Sequence, residues 1–179
     1  MADIFKKDTF DDYRVRKTAA DDADTVVRTL QDAAGWLNDK GIHQWDFYLT
    51  DEAVSEVKEA IEAGTTYLVT DRDDHPVATF NLSQSQNELD ASLWGDRGDD
   101  ALYLHRLAID KNYRHQQIGR RLLSWIQENS KTESDVLRLD CVADNPGLNQ
   151  FYENAGFSFS GFAEAMDIQF SKYEKQLDD

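Results

Sequence analysis

Residues 101–127 read ALYLHRLAIDKNYRHQQIGRRLLSWIQ, and this run decides the fold. Its first part, Ala101–Ile109, is apolar enough for a buried strand, but the alternation changes phase partway along. Leu102 and Leu104 share one face, whereas Leu107 and Ile109 fall on the opposite parity. Successive side chains of a strand point to opposite faces, so a phase change at His105 and Arg106 predicts a β-bulge there. A polar turn follows Asp110, and apolar residues then recur at Ile118, Leu122, Trp125 and Ile126, the spacing of one helix face. The helix is predicted to open near Gln117.

A helix start leaves backbone N–H groups without partners and carries the positive end of the helix dipole. Gly119 lets the backbone approach a ligand closely. Arg114, His115, Arg120 and Arg121 gather at the same point in a chain that is otherwise acidic. Strand, turn and helix start together predict an anion site of the kind that takes a phosphate.

The 179 residues, 40% hydrophobic with only two prolines, suit one globular domain with a sizeable core. A net charge of -16 argues against a nucleic-acid partner and against an anionic membrane surface. Such a charge draws in cationic small molecules, or serves solubility alone. The single cysteine excludes an intramolecular disulfide and fits a reducing compartment. The opening MADIFKKDTF lacks an apolar core of signal-peptide length, and no apolar run is long enough for a bilayer, so a cytoplasmic location is expected. His43, His75, His105 and His115 show no metal-ligand spacing with cysteine or carboxylates, and no metal is expected.

Outward from the central run, Tyr13–Lys17 reads as a strand, and a helix then runs from an Asp21 or Asp22 cap to about Asn38, closed by Gly41. A second helix, 51–63, follows Thr50 and ends at Gly64. Residues 65–71 and 76–83 flank a turn-rich DRDDH as a hairpin. The polar stretch 84–100 is expected to be mobile or to act as a substrate-side lid. Within it Trp94, amid Asp90, Asp96, Asp99 and Asp100, either binds a cationic group on its π face or pins the stretch to the body. Val136–Val142 reads as a strand with Leu137, Leu139 and Cys141 on one face and Arg138 and Asp140 on the other; Cys141 is read as core. Asn145 is predicted to cap a short helix with Pro146 at its first position and Gly156 closing it. Two closing strands complete the chain.

With these elements in place, the central run resembles motif A of the GNAT superfamily of acyl-CoA-dependent N-acyltransferases: Arg or Gln, two residues, Gly, one residue, then Gly or Ala. Arg114, Gln117 and Gly119 occupy the three positions, so glutamine replaces the first glycine. NPGLNQFYENAGF, residues 145–157, resembles motif B of the same family, with its Asn, Phe-Tyr and Gly-Phe intact. The resemblance implies an α/β fold with a mixed, mostly antiparallel twisted sheet of about six or seven strands, a bulged central strand and about four flanking helices. It implies a CoA pyrophosphate on the backbone of Arg114, His115, Gln116, Gln117, Ile118, Gly119 and Arg120. The pantetheine would pair with the main chain of Leu107, Ala108 and Ile109, in a slot opened where the bulge splays the strand from Val136–Val142. Asn145 would touch that arm, and Tyr152 would protonate the departing thiolate.

His105 stands where some members carry a basic glutamate and is the candidate base, with Asp46, Asp140 or a water chain as alternatives. Residues 36–45, WLNDKGIHQW, resemble a segment that walls the acceptor pocket. His43, Trp45 and Asp46, with Trp94, are therefore the candidate acceptor-binding residues; packing under a helix connection is the alternative for the aromatics. The implied activity is transfer of an acetyl group from acetyl-CoA to a primary amine of a small, cationic acceptor, by direct attack in a ternary complex. Acetylation of a protein N-terminus or lysine, and acyl-CoA sensing without turnover, are the other readings. A homodimer is left open.

Overall fold

The structure of the protein, a computed structural model, describes residues 4–43, 45–130 and 134–177. Among them are eight strands and five α-helices, falling into two compact units. The boundary runs through two continuous elements, after His105 in one and after Leu122 in the other.

One unit comprises Lys7–Leu82 and Arg106–Leu122. It holds β1 (Thr9–Phe10), β2 (Tyr13–Lys17), α1 (Ala23–Asp39), α2 (Asp51–Glu62), β3 (Thr66–Thr70) and β4 (Pro76–Ser83). It also takes the second half of β5 (Ala101–Ile109) and the first turns of α4 (Ile118–Asn129). The strands lie in the order β1-β2-β3-β4-β5, antiparallel from β1 to β4. All five residues of β3 are buried, so both of its faces are covered, which is why Tyr67, Leu68 and Val69 follow one another without polar alternation, with threonines only at the two ends. Val26 and Leu30 of α1 pack with Val57 and Ile61 of α2 and with Ala108 of β5. Each such buried aliphatic side chain contributes about 1.5–3 kcal/mol.

The other unit comprises Met1–Lys6, Ser83–His105 and Leu123–Asp179. It holds α3 (Glu88–Trp94), the first half of β5, the rest of α4, β6 (Val136–Val142), α5 (Pro146–Asn154), β7 (Ser158–Ala165) and β8 (Ile168–Gln176), with strand order β5-β6-β8-β7. β5 runs parallel to β6, and the remaining pairs are antiparallel. Leu93 and Trp94 of α3 close a core with Ala101, Tyr103, Val136 and Phe170.

Three expectations are corrected. The strands number eight and the helices five, more than the six or seven and four expected, because β1 is a two-residue strand and α3 lies in the stretch expected to be mobile or a lid. α3 holds because Asn87 accepts the Asp90 N–H at 2.8 Å while Asp90 accepts the Asn87 N–H at 3.0 Å, a reciprocal cap. Arg106, at φ 57, breaks the regular strand where the bulge was expected, yet the buried residue beyond it is the small Ala108, of the same parity as Leu102 and Leu104, and Leu107 and Ile109 are only half-buried.

Candidate active site

The predicted anion site begins where β5 ends. Asp110 accepts the Asn112 N–H at 2.9 Å, opening a tight turn at Lys111–Tyr113, and the Tyr113 hydroxyl anchors that turn on Asp71. Beyond it His115 and Gln117 both adopt left-handed backbone, at φ 65 and 58. Left-handed residues between right-handed ones turn successive N–H groups toward one side, the concavity that binds anions. The Arg121 N–H closes the first helical turn on the Gln117 carbonyl at 3.1 Å, so the N–H groups of Ile118, Gly119 and Arg120 are those a helix leaves open. Gln117 therefore takes, with a side chain, the conformation that glycine takes without strain.

The basic residues around this turn are not equivalent. Arg121 is committed: its guanidinium pairs with Asp11 at 2.6 Å and donates to the Gln116 carbonyl at 3.2 Å. Arg114 stacks over the Trp36 ring at 4.8 Å, and its Nη2 is buried with no hydrogen-bond partner among the described residues. A buried donor without an acceptor costs about 1–3 kcal/mol, which a ligand oxygen would recover. In the same unit His43 pairs with Asp46 at 2.9 Å and Trp45 meets Tyr48 edge to face at 5.5 Å. Asp46 Oδ1 is buried without a hydrogen-bond partner among the described residues. Three of the four expected acceptor-binding residues are thus together.

The fourth is not with them. Trp94 is only 5% exposed, in the core of the other unit, with the Lys172 ammonium 5.1 Å and the Arg138 guanidinium 5.2 Å from its ring. Its π face already serves the chain's own cations. Asn145 caps α5 by accepting the Leu148 N–H at 3.1 Å. Tyr152 of α5 is buried between Phe157 and Tyr173, at ring distances of 6.0 Å. Burial, reinforced by Cys141 and Asp140, drives its phenol above the ordinary range, so it stays protonated at neutral pH. Burial likewise pushes the Cys141 thiol to about 12, in keeping with a core role.

Pairing of β5 with β6 runs from Ala101↔Val136 to Tyr103↔Arg138, whereas β6 pairs with β8 along its whole length. Just past that last β5–β6 pair, the structure gathers three groups that sequence spacing did not connect: Asp90, His105 and Asp140, whose ligand-type atoms all lie within 4.8 Å of one another.

Over residues 30–157 the chain matches the Acetyltransferase (GNAT) family. The chain belongs to that family. A Bacillus subtilis (strain 168) relative, described as the uncharacterized N-acetyltransferase YesJ, is 35% identical over 143 residues, 79% of either chain. A GNAT-family acetyltransferase from Listeria monocytogenes 4b F2365 superposes with a TM-score of 0.76 at 26% identity, covering 92% of this chain and 95% of that one. One from Streptococcus agalactiae 2603 gives 0.80 at 15% identity, covering 97% and 100%, and speaks for the fold alone.

This GNAT acetyltransferase is thus an enzyme of acyl transfer, in a family that generally uses acetyl-CoA as cosubstrate. Among its described residues no helix is long and apolar enough to cross a membrane.

Proposed function

We propose that this acetyltransferase is cytoplasmic and transfers the acetyl group of acetyl-CoA to a primary amine of a small cationic molecule. The observation that carries the reading is the left-handed turn at His115 and Gln117, opening a helix beside an Arg114 guanidinium whose Nη2 lacks a hydrogen-bond partner among the described residues. Such a turn suits a pyrophosphate. Acetyl-CoA supplies the activated thioester; the chain supplies position and charge. The main chain of Leu107, Ala108 and Ile109 pairs with the pantetheine, one N–H of this strand is the donor for the thioester carbonyl, and loss of such a donor typically costs about 3 kcal/mol of barrier. Asn145 faces the pantetheine arm. The protonated Tyr152 phenol gives its proton to the departing sulfur.

A cationic acceptor is supported by the net charge of -16 and by Asp46 Oδ1, which has no hydrogen-bond partner among the described residues, on the segment that carries His43 and Trp45. A panel of primary amines, from monoamines through polyamines to amino-acid amides and peptide N-termini, tests this by following free thiol release from acetyl-CoA. Turnover is expected to concentrate on amines with two or more positive charges and to weaken as salt is added. Equal turnover across neutral and anionic acceptors, or turnover on peptide N-termini alone, would contradict the acceptor class.

A further inference from the structure

Two adjacent layers of side chains bridge β5 and β6, and they differ in one respect. In the first, the Arg138 guanidinium is held by Asp99 at 2.6 and 2.9 Å, by Glu174 at 3.2 Å and by the Tyr103 hydroxyl at 2.9 Å. A permanent cation closes that layer. In the second, two carboxylates again face one nitrogenous group, but the group is His105, whose charge depends on a proton. Asp90 is 1% exposed; its Oδ2 accepts the Asn87 N–H at 3.0 Å and is hydrogen-bonded to His105 Nε2 at 3.1 Å, while its Oδ1 lies 2.9 Å from the same ring nitrogen. Asp140 brings a buried Oδ2 with no hydrogen-bond partner among the described residues. The imidazole, with 17% of its side chain exposed against 1% for Asp90, is the more accessible of that pair.

We propose that Asp90, His105 and Asp140 form the proton-accepting relay of the transfer reaction, His105 taking the amine proton, Asp90 orienting the imidazole and Asp140 sharing the proton with it. The relay rests on the acetyl-transfer reading above. A neutral amine attacks the thioester carbonyl carbon, forming the N–C bond, and the C–S bond breaks with its electron pair going to sulfur. The amine proton passes to His105, and the sulfur takes the Tyr152 proton. The imidazolium then returns its proton through Asp140 or water to the tyrosinate, so the relay ends as it began.

The groups that set its charge are Asp90 on α3, Asp140 and Cys141 on β6, Tyr152 on α5, and the Arg138 layer with Tyr103, Asp99 and Glu174. Burial, with Asp90 adding to it and His105 opposing it, raises the Asp140 carboxyl to about 6. Between two carboxylates and one imidazole the titration belongs to the cluster as a whole.

The test measures kcat and KM from about pH 5 to 9, with the best amine of the panel, for the wild type and for H105A, D90N and D140N, each before and after dialysis against EDTA. D90N keeps the shape of the side chain and an oxygen for the Asn87 N–H, so α3 survives, as circular dichroism and melting would confirm. Expected are a wild-type acid limb near pH 6, a loss of about a hundredfold in kcat for H105A with the acetyl-CoA KM unchanged, and a loss of about tenfold for D90N with a displaced limb. D140N is expected to abolish the limb. Variants that keep the wild-type kcat and limb would overturn the relay and leave the reaction standing. A wild type that turns over no amine would overturn the reaction, and the relay with it. Activity lost in EDTA and restored by zinc would make the cluster a cation site and overturn the relay.

Discussion

Asp140 sits on the polar side of β6, where a carboxylate would ordinarily meet water, and finds instead burial and a second carboxylate. An aspartate with its folded pKa raised from 3.8 to about 6 binds more protons folded than unfolded between those values. Its contribution to stability is therefore fully present below about pH 4 and is lost as pH rises through about 6, by up to about 3 kcal/mol. Asn at this position never ionises. Asp140→Asn is expected to be more stable than the wild type at pH 8, with the difference vanishing below about pH 4, as urea unfolding at the two pH values would show. Equal stability of the two at pH 8 would mean that Asp140 carries no such burden.

At the scale of elements, α3 ties that residue to its place. It is a seven-residue helix whose first turn depends on the exchange between Asn87 and Asp90. Asn87→Ala should cost about 1 kcal/mol of stability, a typical price for a lost cap. Amide exchange should quicken in α3, and kcat should fall because Asp90 loses its hold. Unchanged exchange in residues 88–94 would contradict the cap's role. The same helix shows where sequence reading stops. The strand β5, its bulge, α4, β6 and the capped α5 were legible because each has a periodicity or a cap of standard chemistry. NELD, Asn87–Asp90, is a capping box with aspartate in the place usually taken by glutamate or glutamine, before too short an apolar run to announce a helix. Motif A was readable for the same local reasons, whereas residues 36–45 were singled out by resemblance alone. The cluster of Asp90, His105 and Asp140 was not, since its members come from a helix and two strands, and only parallel pairing brings His105 and Asp140 level. Trp94 read ambiguously because an aromatic amid acids fits a ligand site and a core equally; the partners that settled it, Arg138 and Lys172, are distant in sequence.

For the whole molecule, the proposed reading divides the chemistry between the two motifs: the left-handed turn at His115 and Gln117 would hold phosphate, and the groups around Tyr152 and His105 would move protons. Everything in that division depends on acetyl-CoA being held by the turn. The most direct measurement is the thermal-unfolding midpoint of the full chain with and without acetyl-CoA, for the wild type and for an Arg114→Glu, Gly119→Trp double variant. Ligand at about a hundred times its dissociation constant should add about 2.7 kcal/mol of apparent stability to the wild type, raising its midpoint by several degrees. The double variant, with a repelling charge and a filled helix start, should fold and show no shift. Equal shifts in both proteins would place the cosubstrate elsewhere, and no shift in either at millimolar acetyl-CoA would contradict the claim that this turn binds it.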